Sequence, residues 1–380
     1  MCGIICVLSR KGDRATPTPD HIFNLFLAAQ AHIELASTDF AQAELASEAL
    51  EAINTLLKGD AGVRALVGSH DLVDGIRGAL LKLAPQVEKY EAALEASQDA
   101  HLIENASHTV SAIKDALWSI SDDRLRTARE VSLLAGMHAS EESLHGYLSI
   151  QQALSAIDRM EVRGRDSAGI GVVVWGHGLT EDVVLGDPAL RNAFVPRHED
   201  ALFTSRSVRV EGDAWVFVYK AAAEIGELGD NTKTMRQHIL QDALLRRVVS
   251  AKNAQVSVIG HTRWASVGII SEPNAHPVTG EEVNKKQPLV LAVLNGDVDN
   301  YADLKVEHDI SVAASITTDA KVIPSLVARG LQAGQPLQQS FLNAVTQFDG
   351  SVAIAALSVD HPGSVMLGLR GSGQGMCIGL

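Results

Sequence analysis

Three rhythms of apolar and polar positions run along the chain, and each predicts a different kind of element. Residues 3–8 (Gly-Ile-Ile-Cys-Val-Leu) are a short apolar run, the pattern of a buried strand, and Lys11-Gly12-Asp13 ends it. From Thr18 to about Met160 apolar residues step by three or four. Leu72, Ile76, Leu80 and Leu83 form one stripe. Ile103, Ala106, Val110, Ile113, Leu117 and Ile120 form another, and Leu144, Leu148, Gln151 and Leu154 a third in which only Gln151 is polar. Thr18-Pro19 is a helix start, and Gly59, Pro85, Ser121 and Ser140 mark breaks or caps. This pattern predicts a bundle of helices over residues 18–149. From Gly169 the rhythm becomes strand-like, with candidates at 169–175, 214–220, 256–260, 289–294, 351–358 and 364–369. Helical stretches at 231–252 and about 319–347, broken near Gly334, interrupt them. The expected fold class is α+β: layered sheets with outer helices, built from residues 1–17 and 150–380, and carrying the bundle as an insertion. The final Gly375-Met376-Cys377-Ile378-Gly379-Leu380 reads as the start of one more buried strand, as if the chain were cut from something longer.

Composition narrows the function. The chain has 380 residues, 46% of them apolar, and a mean hydropathy of +0.08, which describes a folded globular protein. Its formal charge is −14, which argues against nucleic acid and anionic membrane as partners. The cysteines are Cys2, Cys6 and Cys377, a sparse odd set that suits free thiols in a reducing compartment. No basic-then-apolar leader and no bilayer-length apolar run is evident, so a cytoplasmic location is expected.

The second residue carries the most chemistry. On removal of Met1, Cys2 presents a thiol and a free α-amine on one residue, with ordinary pKa values near ~8.5 and ~8. The neutral amine can take the thiol proton, which makes a nucleophile-and-base unit. The same residue also suits the plain start of a strand. Asn295-Gly296, after the apolar run 289–294, is both a turn signal and a pair of oxyanion donors. Arg263 has the planar fork that grips a carboxylate, or forms a surface ion pair; Asp319 suits an ammonium group, or caps a helix. His101, Glu104 and His108 share a helical face but read as a solvated surface rather than a metal site, and His138 and His145 with Glu141 and Glu142 read no better. Gly371-Ser372-Gly373 reads as a tight turn.

Five segments occur in a fixed order: Cys2-Gly3-Ile4-Ile5, Arg163 to Gly169 (RGRDSAG), Gly260 to Ala265 (GHTRWA), Asn295-Gly296 and Thr318-Asp319. In that order they resemble the glutaminase domain of the class II, or N-terminal-nucleophile, glutamine amidotransferases. Within that family, His261 to Ala265 with Asn274-Ala275-His276-Pro277 resembles the glucosamine-6-phosphate synthase branch. The resemblance covers 1–10 and roughly 150–380, without the helical segment or much of 180–250. It implies a four-layer αββα sandwich and hydrolysis of L-glutamine to glutamate and ammonia through a thioester on Cys2. It assigns Asn295 and Gly296 to the oxyanion, Arg263 to the α-carboxylate and Asp319 to the α-ammonium. Trp264 would cover bound glutamine, and Ser266 and Arg163 would line or support the site. No metal and no cofactor is implied. The implied partner is a C-terminal sugar-phosphate isomerase domain or subunit that aminates fructose 6-phosphate; a homo-oligomer is expected, with a protein partner for the insertion. The sequence departs from the family at Ser266-Val267-Gly268, where Thr-His-Gly is usual, and at Arg165, where Tyr is common. A different amidotransferase or amidohydrolase with another acceptor, and a non-catalytic glutamine-binding scaffold, stay open at this point.

Overall fold

The computed structural model describes residues 2–36, 39–96, 100–136, 139–222, 227–371 and 373–379, and for residues 40 and 100–105 the backbone alone. It divides into two compact units, residues 1–10 with 149–380 and residues 11–148.

The first unit is built on two antiparallel sheets. Five strands, β1 (Gly3–Leu8), β2 (Ser167–Trp175), β3 (Val208–Glu211), β4 (Ala214–Ala222) and β5 (Gln255–Arg263), pair in the order β1-β5-β2-β4-β3. Four more, β6 (Val278–Thr279), β7 (Val290–Gly296), β8 (Val352–Ser358) and β9 (Met366–Arg370), pair in sequence order. Period-two alternation sends the side chains of β7 and β8 to both faces of the second sheet, and both are covered. Leu291 and Val293 of β7, with Ala355 and Leu357 of β8, pack against Val216 and Val218 of β4 and Ile259 of β5. The intervening Val290, Ala292 and Leu294 join Val322, Ile323, Leu326, Phe341 and Val345 on the opposite side. These last come from helices Val322–Gln332 and Leu337–Thr346. Behind the first sheet, the space over Gly260 is filled by Ile157 of helix Glu141–Met160, whose δ-carbon would lie 3.0 Å from an added Cβ.

The second unit is helical: Pro19–Leu35, Phe40–Leu56, Gly59–Leu66, His70–Glu95, Ala100–Trp118 and Arg126–Ala135, with a π-helical turn at Ser119–Leu125. Thr18 caps the first of these, its hydroxyl accepting the His21 N–H at 3.3 Å, and Pro19 supplies the fixed φ of the first turn. Ile22, Phe26, Leu50, Ile53, Leu72, Ile76, Leu83 and Ile113 share one apolar core.

The break expected at Pro85 does not occur, because helix His70–Glu95 runs through it. Buried Leu83 and Val87 on either side hold the stripe together, while Leu81, four residues before the proline, is 77% exposed, where an unpaired carbonyl meets water. Nor does Ser121 end a helix; it lies inside the π turn and bonds back to the Trp118 carbonyl at 3.1 Å. Residues 373–379 form no strand: a strand needs a neighbour's ladder, and this segment has none among the described residues. Two short helices, Glu181–Gly186 and Pro188–His198, lie where the apolar pattern gave no element.

The helix expected over 231–252 is two helices, Asp230–Leu240 and Ala243–Val249. Asp242 divides them. Its carboxylate accepts the Leu244 and Leu245 N–H groups at 3.1 and 3.0 Å and the Tyr219 hydroxyl at 2.7 Å, and it receives the fork of Arg197. Replacing Asp242 by Ala removes a cap and strands a largely buried guanidinium, so urea unfolding should show a loss of about 3–5 kcal/mol. A loss under about 1 kcal/mol would show that this network does not hold the two helices.

Candidate active site

The register of β1 against β5 sets the site. Gly3 pairs with Thr262, and the Gly3 N–H donates to the Thr262 hydroxyl at 3.1 Å. Cys2, one residue further, therefore lies beside the end of β5. The Trp264 N–H donates to Cys2 Sγ at 3.2 Å, and the thiol faces the Trp264 carbonyl at 3.7 Å. Burial raises the Cys2 pKa above its ordinary value, an effect that the Trp264 N–H and the positive field of Arg263 only partly offset. The thiol is therefore largely protonated near neutrality and needs a base to act as a nucleophile. Cys6 is pushed by burial to about 12, and Cys377 is exposed.

Asn295 and Gly296 end β7 on the other side of Cys2. The Asn295 Nδ2 donates to the Cys2 carbonyl at 2.9 Å and to the Gln374 side-chain oxygen. The Gln374 Nε2 returns a bond to the Asn295 Oδ1 at 3.0 Å, so two carboxamides face each other reciprocally. Gly296 has φ +124°, and a Cβ there would fall 1.8 Å from the Ser351 carbonyl oxygen, so the position admits only glycine.

Arg263 and Asp319 are both buried, with 3% and 4% exposure, and lie within each other's field. Arg263 donates to the carbonyls of Ile269 (3.2 Å) and Val267, and so holds the loop that follows it. Asp166 fastens the start of that loop: its carboxylate accepts the Ala265 N–H at 2.8 Å, and its own N–H donates to the Arg263 carbonyl at 3.1 Å. Gly164 fits against the same backbone, where a Cβ would lie 2.9 Å from the Arg263 carbonyl carbon. Ser266 donates to Asp297, and Trp264 is 59% exposed on the loop. Asp319 accepts the Val298 N–H at 2.8 Å, and burial raises its pKa. Cys2, Asn295, Gly296, Arg263, Trp264, Ser266 and Asp319 thus occupy connected segments. Arg163 does not join them; it is exposed at the end of its helix, and its neighbours Gly164 and Asp166 make the contacts.

Other residues shape the site without having been singled out for it. Asn274 accepts the Thr317 and Thr318 N–H groups at 2.7 and 2.9 Å and donates to Ser271 Oγ (2.9 Å) and the Ser315 carbonyl (3.0 Å). It fixes the loop that presents Asp319. His276 accepts the Leu294 N–H at 3.3 Å and lies 3.3 Å from the Thr318 hydroxyl, joining β7 to the same loop. Burial depresses the pKa of His276 and of the neighbouring His261, the latter to about 3, so both are neutral. Asn274 and His276 were legible only as part of a motif. Gln374 carried no signal, being 79 positions from Asn295.

Among the described residues no group of three or more His, Cys, Asp or Glu is placed to hold a metal. The side chains of His101 and Glu104, and His138 entirely, lie outside the described residues; His108 is exposed, and His145 lies 2.7 Å from Asp60. Ser372 also lies outside the described residues, while Gly371 has φ +63° and abuts Gly350. No helix among the described residues is long and apolar enough to cross a membrane.

No family model matches the sequence. Curated relatives do: an isomerizing glutamine–fructose-6-phosphate aminotransferase of Bacillus thuringiensis subsp. konkukian is 30% identical over 163 residues, 43% of this chain and 24% of the relative. The enzyme of that name from Chlamydia pneumoniae is 38% identical over 113 residues, 29% of this chain and 17% of the relative. That from Shouchella clausii is 26% identical over 227 residues, 59% and 28% respectively. The chain spans about a quarter of the length of these relatives. A solved glutamine phosphoribosylpyrophosphate amidotransferase from B. subtilis aligns over 53% of this chain and 37% of that one at 17% identity, with a TM-score of 0.29, too low to bear on the fold.

The burial of the thiols sets their order of reaction. With iodoacetamide and peptide mapping, Cys377 should react first and Cys6 stay silent. Cys2 alkylation should rise with pH along a curve displaced to the alkaline side of a free thiol, because its pKa is raised. A Cys2 rate already at its plateau at pH 7 would overturn this description of the thiol.

Proposed function

Starting from the chain's sequence relationship to glutamine–fructose-6-phosphate aminotransferases, we propose that it is a glutaminase of the class II amidotransferase type. The observation that carries this reading is the placement of the Asn295 amide and the Trp264 N–H on the two sides of Cys2. In this reading the two sheets and their flanking helices are the four-layer αββα sandwich of N-terminal-nucleophile hydrolases, with residues 18–149 inserted as a helical bundle.

Loss of Met1 frees the α-amine of Cys2, which takes the thiol proton. The thiolate attacks the side-chain carboxamide carbon of L-glutamine. Negative charge then develops on the amide oxygen, where the Asn295 Nδ2 and the Gly296 N–H stabilise it; one such donor contributes about 3–4 kcal/mol in the transition state. The C–N bond breaks, the proton passes to the leaving nitrogen, and ammonia departs from a γ-glutamyl thioester that water cleaves to glutamate. Arg263 and Asp319 grip the α-carboxylate and α-ammonium, opposite charges buried near each other as an amino acid requires. Trp264 covers the bound substrate, Ser266 and Asp297 brace the loop, and Arg163 acts only through its turn. Gln374 bears the same functional group as the substrate and holds the Asn295 amide, so glutamine must displace it.

The ammonia acceptor is fructose 6-phosphate, aminated on a sugar-phosphate isomerase domain or subunit, in keeping with the names of the relatives. The assembly is a cytoplasmic homo-oligomer, and the helical unit is the place for a protein partner.

Cys2→Ala should lower glutamine hydrolysis at least about a thousandfold while the circular-dichroism spectrum stays unchanged. Gln374→Ala should lower the KM for glutamine about two- to tenfold, the equivalent of one released hydrogen-bonded pair. Undiminished turnover in the Cys2→Ala protein would remove the mechanism; an unchanged KM in Gln374→Ala would remove only the competition.

A further inference from the structure

Lys220 is fully buried on β4, and its ammonium nitrogen has no hydrogen-bond partner among the described residues. The nitrogen lies 5.0 Å from the Phe203 ring centroid, and Lys220 lines a cavity of about 290 Å³. Lys321 and Arg209 line the same cavity. Lys321 spends two of its three N–H bonds on the Thr279 and Glu281 carbonyls, at 2.5 and 2.7 Å, which leaves one. Each nearby carboxylate has donors of its own. Glu281 takes Arg209 at 2.7 Å, Glu282 takes Arg329 and Lys285, Glu272 takes the Ser205 N–H at 2.9 Å, and Asp200 takes Thr204 and Ser207. None of them forms an ion pair with Lys220.

An unpaired ammonium sealed from water costs several kcal/mol unless it loses its proton or gains a counterion. Burial draws the Lys220 pKa down to about 7, so the charge is held only weakly. The space is about ten times the ~30 Å³ of a liquid water molecule and is edged by a second lysine with a spare donor.

We propose that this cavity binds a small anion bearing a phosphate or carboxylate group, held by the Lys220 ammonium and the remaining N–H of Lys321. The site is separate from the glutamine grips but mechanically joined to them. Lys321 closes the short 3-10 turn Asp319–Lys321 that begins with Asp319. Lys220 packs over Gly169, where an added Cβ would lie 3.1 Å from its Cγ and 2.3 Å from the His276 carbonyl oxygen; His276 in turn touches Thr318. An anion seated there steadies the turn that carries Asp319.

The test needs no enzyme assay, so its outcome is independent of the glutaminase reading. The full chain is titrated with inorganic phosphate and, separately, malonate by calorimetry, with chloride holding ionic strength constant. Saturable binding of either at one site per chain, weakened at least tenfold in Lys220→Met, is the expected result; phosphate binding alone assigns the phosphate class, malonate alone the carboxylate class. Ile316→Trp, which fills the cavity and leaves both lysines, should also abolish binding and serves should Lys220→Met fail to fold. No saturable binding of either anion, or binding untouched by both substitutions, would overturn the proposal.

Discussion

Everything at the site depends on the antiparallel pairing of β1 with β5. Six residues at the start of the chain are locked against a strand some 250 positions away, and the register Gly3↔Thr262 brings Cys2 beside Trp264. A shift of one residue would turn Cys2 to the other face of the sheet and break its contact with Asn295. The pairing therefore fixes the backbone at Cys2. The loop after β5 inherits the same frame, because Arg263 is the last residue of the strand and its guanidinium ties the carbonyls of 267 and 269.

Much of the sheet framework was legible because buried strands show their period directly. The runs at 3–8 and 214–220 fall within strands, and those at 289–294 and 351–358 begin one residue before theirs. What failed was local punctuation. Pro85 looked like a break, but a helix with a buried stripe on one side and solvent on the other tolerates one missing bond. Gln241-Asp242 looked continuous, but Asp242 satisfies the next helix's first N–H groups and a buried arginine together. Residues 373–379 read as a strand by composition, yet no ladder receives them among the described residues.

The candidate site was legible to the extent that its residues carry unusual chemistry in short motifs: Cys2, Asn295-Gly296, Arg263 and Asp319. Asn274 was legible only as part of a motif and Gln374 not at all, since their work is done by contacts between distant segments. Asn274 braces a loop some 40 residues away, and Gln374 meets Asn295 across 79 positions. Around Arg163 the contacts come from Gly164 and Asp166, while the Arg163 side chain is exposed. A recurrent theme is buried charge held in place by polar partners, as at Arg263 and Asp319; Lys220 has no hydrogen-bond partner among the described residues.

In the proposed glutaminase, Cys2 is the first residue of the processed chain and the nucleophile that attacks glutamine. The most direct measurement is the mass of the N-terminal peptide before and after exposure to an electrophilic glutamine analogue, with and without excess glutamine. The expected result is a peptide that begins at Cys2, gains one analogue-derived group on that residue, and is protected by glutamine. A peptide that retains Met1 and stays unmodified, or label found on Cys377 instead, would contradict it.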